Sequence, residues 1–142
     1  MAQLRKMALS GFVETANELN LATDEILYAH GLNTNYFDRI GIDEMMDFEL
    51  AIKLIESVAK ESGQHHCGVL MGSKQDIHFL GIIGYLMEQS KDVLDALNAL
   101  SQHLSIHTPT PVTIEDYGQL TGINFINILP LSRQSYSNEM AM

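Results

Sequence analysis

Apolar residues recur at three- and four-residue intervals through the first two thirds of the chain, and at every second residue beyond Pro111. The clearest stripe, Met45, Phe48, Ile52, Ile55 and Ala59, widened by Ala51, Leu54 and Val58, predicts a helix from about Glu44 to Glu61. Asp43 is its expected N-cap and Gly63 its stop. A second stripe, Val93, Leu97, Leu100 and Leu104 with Leu94 beside it, predicts a helix from about Lys91 to His107, capped by Ser90 and ended by Pro109 and Pro111. Shorter helices are expected over residues 11–20 and 24–31. In the second of these Thr23 is the expected cap, Asp24 and Glu25 sit where the helix dipole favours acids, and Gly31 is the expected end.

After Pro111 the segments "VTIEDY" and "INFINIL", separated by Gly118, Thr121 and Gly122, predict an antiparallel hairpin. The expected class is therefore α+β, with a helical N-terminal two thirds packed on an antiparallel β-hairpin or sheet. With no internal repeat or low-complexity linker, residues 1–142 are expected to form one domain. A chain of this length buries roughly 68–70% of the surface that its unfolded form exposes, enough for a core. In the closing "SYSNEMAM", Ser137 is placed to cap a helix of a single turn. A helix so short does not pay back its nucleation, so the chain is expected to be part of a longer protein, a truncated sensor domain in the reading developed below.

Composition narrows the function classes. The apolar fraction is 46% without a run long enough to span a bilayer, so no membrane partner is expected. The opening "MAQLRKMALSGFVETANELN" lacks an unbroken apolar segment of signal-peptide kind, and the chain's single cysteine, unable to form an internal disulfide, fits a reducing, cytoplasmic compartment. Eight Lys and Arg against eighteen Asp and Glu give a formal charge of -10. The cations are scattered (Arg5, Lys6, Arg39, Lys53, Lys60, Lys74, Lys91, Arg133), so this chain by itself is not expected to bind nucleic acid.

Two histidine arrangements and the thiol invite chemistry. In "GQHHCGVLMG" (63–72) neighbouring His65 and His66 point apart and make a poor chelate, and zinc would need further ligands beside Cys67. The competing reading is scaffold: Gly63 and Gly72 as stops, with Val69, Leu70 and Met71 in the core. His103 and His107 stand at i, i+4, the spacing of zinc hydrolases, but Leu104 occupies the place of the catalytic Glu and no third ligand follows. The alternative puts both on the wet flank of a helix end. A Cys–His hydrolase would need Cys67 activated and exposed. "GSKQD" lacks the spacing of a phosphate-binding loop, and Gly81 and Gly84 in "LGIIGYLM" are expected to let a helix start close against another backbone.

Cys67-Gly68-Val69-Leu70-Met71-Gly72, then Leu80-Gly81-Ile82-Ile83-Gly84-Tyr85-Leu86-Met87, then Ser90, Val93, Ala96 and Leu97 in register resemble the "fGLrlG" and "lGxlGyllxxSxTlxeAlxxlxxy" pieces of one family. That family is the ligand-sensing N-terminal, arabinose-binding-like domain of AraC-type bacterial transcription regulators. The upstream "ILYAHGLN" is similar to its "aGl" helix end, and Lys91-Asp92-Val93 departs from its "pTl". The resemblance covers roughly residues 10–142. It implies a cytoplasmic regulator domain that binds a small-molecule effector and forms a homodimer, with DNA engaged only through a C-terminal helix-turn-helix domain outside this chain. It implies no catalytic residue, metal or cofactor. From chemistry, the pocket is expected between sheet and helices with Tyr85, His103 and Tyr117 as polar handles in an apolar wall, the competing reading being that all three are ordinary core-edge side chains. The alternative functions are a metal- or haem-responsive sensor using the histidines and a small hydrolase built on Cys67.

Overall fold

A computed structural model describes residues 2–39, 41 and 44–126. The chain runs through β1 (Gln3–Arg5), a 3-10 turn (Lys6–Leu9), α1 (Phe12–Glu18), α2 (Thr23–Ala29), β2 (Met45–Asp47), α3 (Phe48–Ser62) and α4 (Cys67–Gly72). A second 3-10 turn (Ile77–Leu80) leads into α5 (Ile82–Glu88) and α6 (Val93–His103), and a third (Leu104–Ile106) leads to β3 (Val112–Asp116) and β4 (Thr121–Phe125). Helices with two small antiparallel sheets make the class α+β, as the periodicities predict. The expected caps Asp43 and Ser137 and the end of the second hairpin segment lie outside the described residues.

The core is organised on α3. Phe48, Ala51, Leu54, Ile55, Val58 and Ala59 pack with Leu4, Leu9, Phe12, Ile26, Leu27, Cys67 and Met71, so the helix is held by side chains from both sequence directions. Each such large side chain contributes roughly 1.5–3 kcal/mol on leaving water. Gly63 ends α3 with φ 68, as expected.

The start of α3 differs from the expectation. Residues 45–47 are a strand, not a first helical turn: Leu4 pairs with Met46 and Gln3 with Asp47, antiparallel. Asp47 is the N-cap, accepting from the Leu50 N–H at 2.9 Å. Met45 and Met46 fit a helical stripe and a strand equally well, and the backbone partner at residues 3–5 decides between them.

Two further caps move. Thr23 is the first helical residue of α2, behind Ala22, and its hydroxyl donates to Asn17 Oδ1 at 3.1 Å. The cap of α6 is Asp92, accepting from the Asp95 N–H at 2.8 Å, whereas Ser90 donates to the Leu86 carbonyl at the end of α5. Asp92 stands immediately before the first helical residue, Val93, and its carboxylate accepts the charge-assisted bond that a helix N-terminus favours. Helix α6 also ends at His103, short of the expected His107.

The glycine expectation for the approach to α5 holds at Gly84, where a Cβ would collide with the Ile77 carbonyl oxygen. In the hairpin Val112 faces Phe125, Ile114 faces Ile123 and Asp116 faces Thr121. The period of two therefore gives one apolar face, Val112, Ile114, Ile123 and Phe125, and one polar face. Val112 is buried, and its carbonyl accepts from Ser101 Oγ of α6 at 2.7 Å, which ties the hairpin to that helix.

Candidate functional site

The glycine-bounded "GQHHCGVLMG" is a helix end, a turn and the short helix α4. Cys67 and Met71 enter the core, with the thiol 3.6 Å from the Ile55 carbonyl oxygen, while His65 and His66 are exposed on the turn. Val69 is exposed, against the expectation that it joins the core, because the one-turn helix presents only its Cys67–Met71 side to α3. The adjacent imidazoles and the thiol thus face different environments. Burial also denies Cys67 the solvent access on which thiolate reactivity depends.

Tyr85, His103 and Tyr117 occupy three separate places. Tyr85 lies on α5 with 62% of its surface exposed, His103 is the half-buried last residue of α6, and Tyr117 follows β3. The Tyr117 ring lies over Gly122, where a Cβ would stand 2.6 Å from Cε2, and its hydroxyl hydrogen-bonds the Glu115 carboxylate. That bond, with the nearby negative charge, raises the phenol pKa. Among the described residues no hydrogen bond or ring contact joins any two of the three. Ile82 and Leu86 of α5, Val93 and Leu94 of α6, and Ile123 and Phe125 of β4 are also exposed. Helix α6 carries an apolar stripe and buries none of its residues fully.

His107 corrects the wet-flank expectation. The helix gives way to the 3-10 turn after His103, so the two histidines no longer share a helical face, and His107 is only 3% exposed. Its backbone is tied on both sides: the N–H donates to the Leu104 carbonyl, and the carbonyl accepts from the Arg5 N–H, each at 2.8 Å. Arg5 Nε also donates to the Ile106 carbonyl at 3.2 Å, which fastens β1 to the third 3-10 turn. The imidazole packs edge-on against Phe79, with ring centroids 5.3 Å apart. Neither ring nitrogen has a hydrogen-bond partner among the described residues. Burial, then the positive charge of Arg5, lowers its pKa from 6.5 to about 4, so the ring is neutral at pH 7.

Sequence reasoning gave no role to a second cluster. Lys6 is buried, with Nζ 2.9 Å from Glu44 Oε2 and 4.0 Å from the centre of the Tyr36 ring, and Phe37 stands just beyond. The Lys6 hydrogen bond, and secondarily its charge, holds the Glu44 pKa below the usual carboxylate range. The signal was present: Lys6 sits between the apolar Leu4 and the Ala8–Leu9 pair, where an unpaired ammonium would be costly. Thr15 is likewise 3% exposed with an unpartnered hydroxyl, beside a cavity of about 10 Å³ lined by Phe12, Thr15, Ile55, Val58, Cys67 and Met71. That volume is about one water's worth and holds no organic ligand.

Among the described residues no group of three or more His, Cys, Asp or Glu is arranged to hold a metal, and no helix is long and apolar enough to cross a membrane. Residues 27–135, more than half of the chain, match the family model described as the arabinose-binding domain of AraC transcription regulator, N-terminal. No curated protein matches the chain.

Proposed function

Because the chain belongs to the family of N-terminal arabinose-binding domains of AraC transcription regulators, we propose that it is the effector-sensing and self-associating domain of such a regulator. It acts in the cytoplasm, binds a small molecule, and passes its bound state to a DNA-binding domain of the parent protein. The family match over residues 27–135 carries this reading. The formal charge of -10 supports it, since an acidic sensor leaves phosphate contact to a separate reader. The exposed apolar side chains of the mutually packed α5 and α6 support the self-association, because an interface would take them out of water. Tyr85, His103 and Tyr117 are kept as the proposed polar handles for the effector.

Coupling requires that the effector bind one arrangement of the regulator more tightly than another, typically by 1–3 kcal/mol. A screen of sugars, amino acids and fatty acids tests this in two measurements: thermal unfolding of the purified chain, and a promoter reporter driven by the parent regulator. One molecule is expected to do both, stabilising the chain by about 2.7 kcal/mol at a hundredfold excess over its Kd and altering the reporter. Sedimentation of the chain is expected to show dimers. A reporter response to a molecule that leaves unfolding of this chain unchanged would place sensing elsewhere in the parent.

A further inference from the structure

Building on the self-association reading, we propose that the open edge of β4 pairs with the same edge of a second copy of this chain, joining the two hairpins into one antiparallel sheet about a two-fold axis at Ile123. The hydrogen bonds of the hairpin define that edge. The Tyr117 N–H donates to the Leu120 carbonyl at 2.8 Å, and the Ile126 N–H to the Pro111 carbonyl at 2.9 Å. In the register that sets Val112 opposite Phe125 and Ile114 opposite Ile123, alternation turns the backbone groups of Gly122 and Asn124 inward to β3, and those of Thr121, Ile123 and Phe125 outward. Among the described residues this sheet has no third strand, and none of these outward groups has a backbone partner. The outer edge of β3 is engaged instead: the Val112 carbonyl accepts from Ser101 Oγ at 2.7 Å, and the strand lies against α6.

Soluble proteins blunt a free edge with a charge, a proline or a bulge. Thr121-Gly122-Ile123-Asn124-Phe125 carries no charge and no proline, and its pairing to β3 runs without a bulge. Ile123 and Phe125 share one face of the strand and are 42% and 39% exposed. A two-stranded hairpin is marginal by itself and gains from added strands.

Symmetry and charge select the occupant. The outward residues are spaced evenly about Ile123, so an antiparallel copy sets Ile123 opposite Ile123 and Thr121 opposite Phe125, with each outward N–H facing an outward carbonyl. The same two-fold brings the exposed Ile123 and Phe125 side chains of both copies onto one face, continuous with that of Val112 and Ile114. Two chains of formal charge -10 repel one another, and an uncharged strand is where they can approach, since Glu115 and Asp116 lie one strand back on β3. Such an edge offers no charge with which to choose a foreign strand, whereas its own sequence fits it in register. A contact one short strand long is smaller than the roughly 800 Å² that each partner gives to a standard interface, so association is expected at micromolar concentrations or above.

Sedimentation equilibrium of the chain from about 1 µM to about 1 mM is combined with amide hydrogen exchange of the 15N-labelled chain by NMR. As dimers form, the Thr121, Ile123 and Phe125 amides are expected to become protected, while those of Gly122 and Asn124 are protected already in the monomer. Ile123→Lys sets two like charges face to face and is expected to weaken the dimer roughly tenfold or more, as is Ile123→Glu. Mixing the two variants is expected to restore dimerisation to within about threefold of wild type, a rescue that requires Ile123 to face its own copy. Should a variant lose its hairpin, which Gly122 and Asn124 report, the wild-type exchange decides by itself. Dimers whose Thr121, Ile123 and Phe125 amides exchange as fast as in the monomer overturn the β4 edge and leave self-association through another face standing, as does failure of the folded variants to rescue one another. Protection of the three amides in a chain that stays monomeric also overturns it, by showing the edge filled within the chain. A monomer with those amides unprotected at every concentration removes the edge and the self-association together, and effector sensing then rests on the unfolding and reporter screen alone.

Discussion

The neutral, buried His107 makes the stability of the chain depend on pH in a window that few other groups occupy. In the unfolded chain the imidazole takes up a proton near pH 6.5; in the folded chain it does so only near pH 4. Between those values the unfolded state binds more protons than the folded one, so stability falls as the pH falls. The gap between 6.5 and about 4, at about 1.4 kcal/mol for each tenfold change, comes to about 3 kcal/mol lost on acidification. Against a typical domain stability of roughly 5–15 kcal/mol that loss is large. The perturbation is His107→Leu, measured with wild type by urea unfolding at several pH values from 7.5 to 4. At neutral pH the two are expected within about 1 kcal/mol, because removing an unsatisfied buried group offsets the edge contact with Phe79. Towards pH 4 the variant is expected to become the more stable by about 3 kcal/mol, the eighteen carboxylates being common to both. Parallel stability curves across the window would refute a buried neutral imidazole.

Other substitutions probe the rest of the frame. Gly84→Ala drives a methyl group into the Ile77 carbonyl, and is expected to lower stability by about 2–3 kcal/mol in chemical denaturation. Asp47→Ala removes the cap of α3 and is expected to cost about 1 kcal/mol, with Asp47→Asn recovering most of it in the same assay. Thr15→Val exchanges a buried, unpartnered hydroxyl for a methyl of similar size and is expected to raise stability by about 1 kcal/mol, read as a higher melting temperature.

The resemblance read from the glycine-punctuated middle of the chain agrees with the family match, and the glycines show why that stretch was informative. Gly63 takes a positive φ at the end of α3, and Gly84 permits an approach that any side chain would block, so each constraint is written into one residue's identity. The hairpin was legible for a similar reason: alternation from Val112 to Asp116 and from Thr121 to Phe125 is a local pattern with a single structural solution. The stripe of α3 likewise named its buried face, and only its first residues were misassigned.

What the sequence could determine, then, were the features whose energy is local: helical and strand periods, the glycine stops, and the acidic net charge. Tertiary structure decided everything that depends on a distant partner. Residues 3–5 turned Met45–Asp47 into a strand, and Arg5, Phe79 and a 3-10 turn converged to bury His107, whose spacing from His103 had suggested a shared wet face. The physical reason is that a period reports only which side of an element is apolar. Whether a given polar group on that element meets water, a partner or nothing depends on what packs against it from elsewhere in the chain, and for this imidazole the packing left both nitrogens without a partner among the described residues.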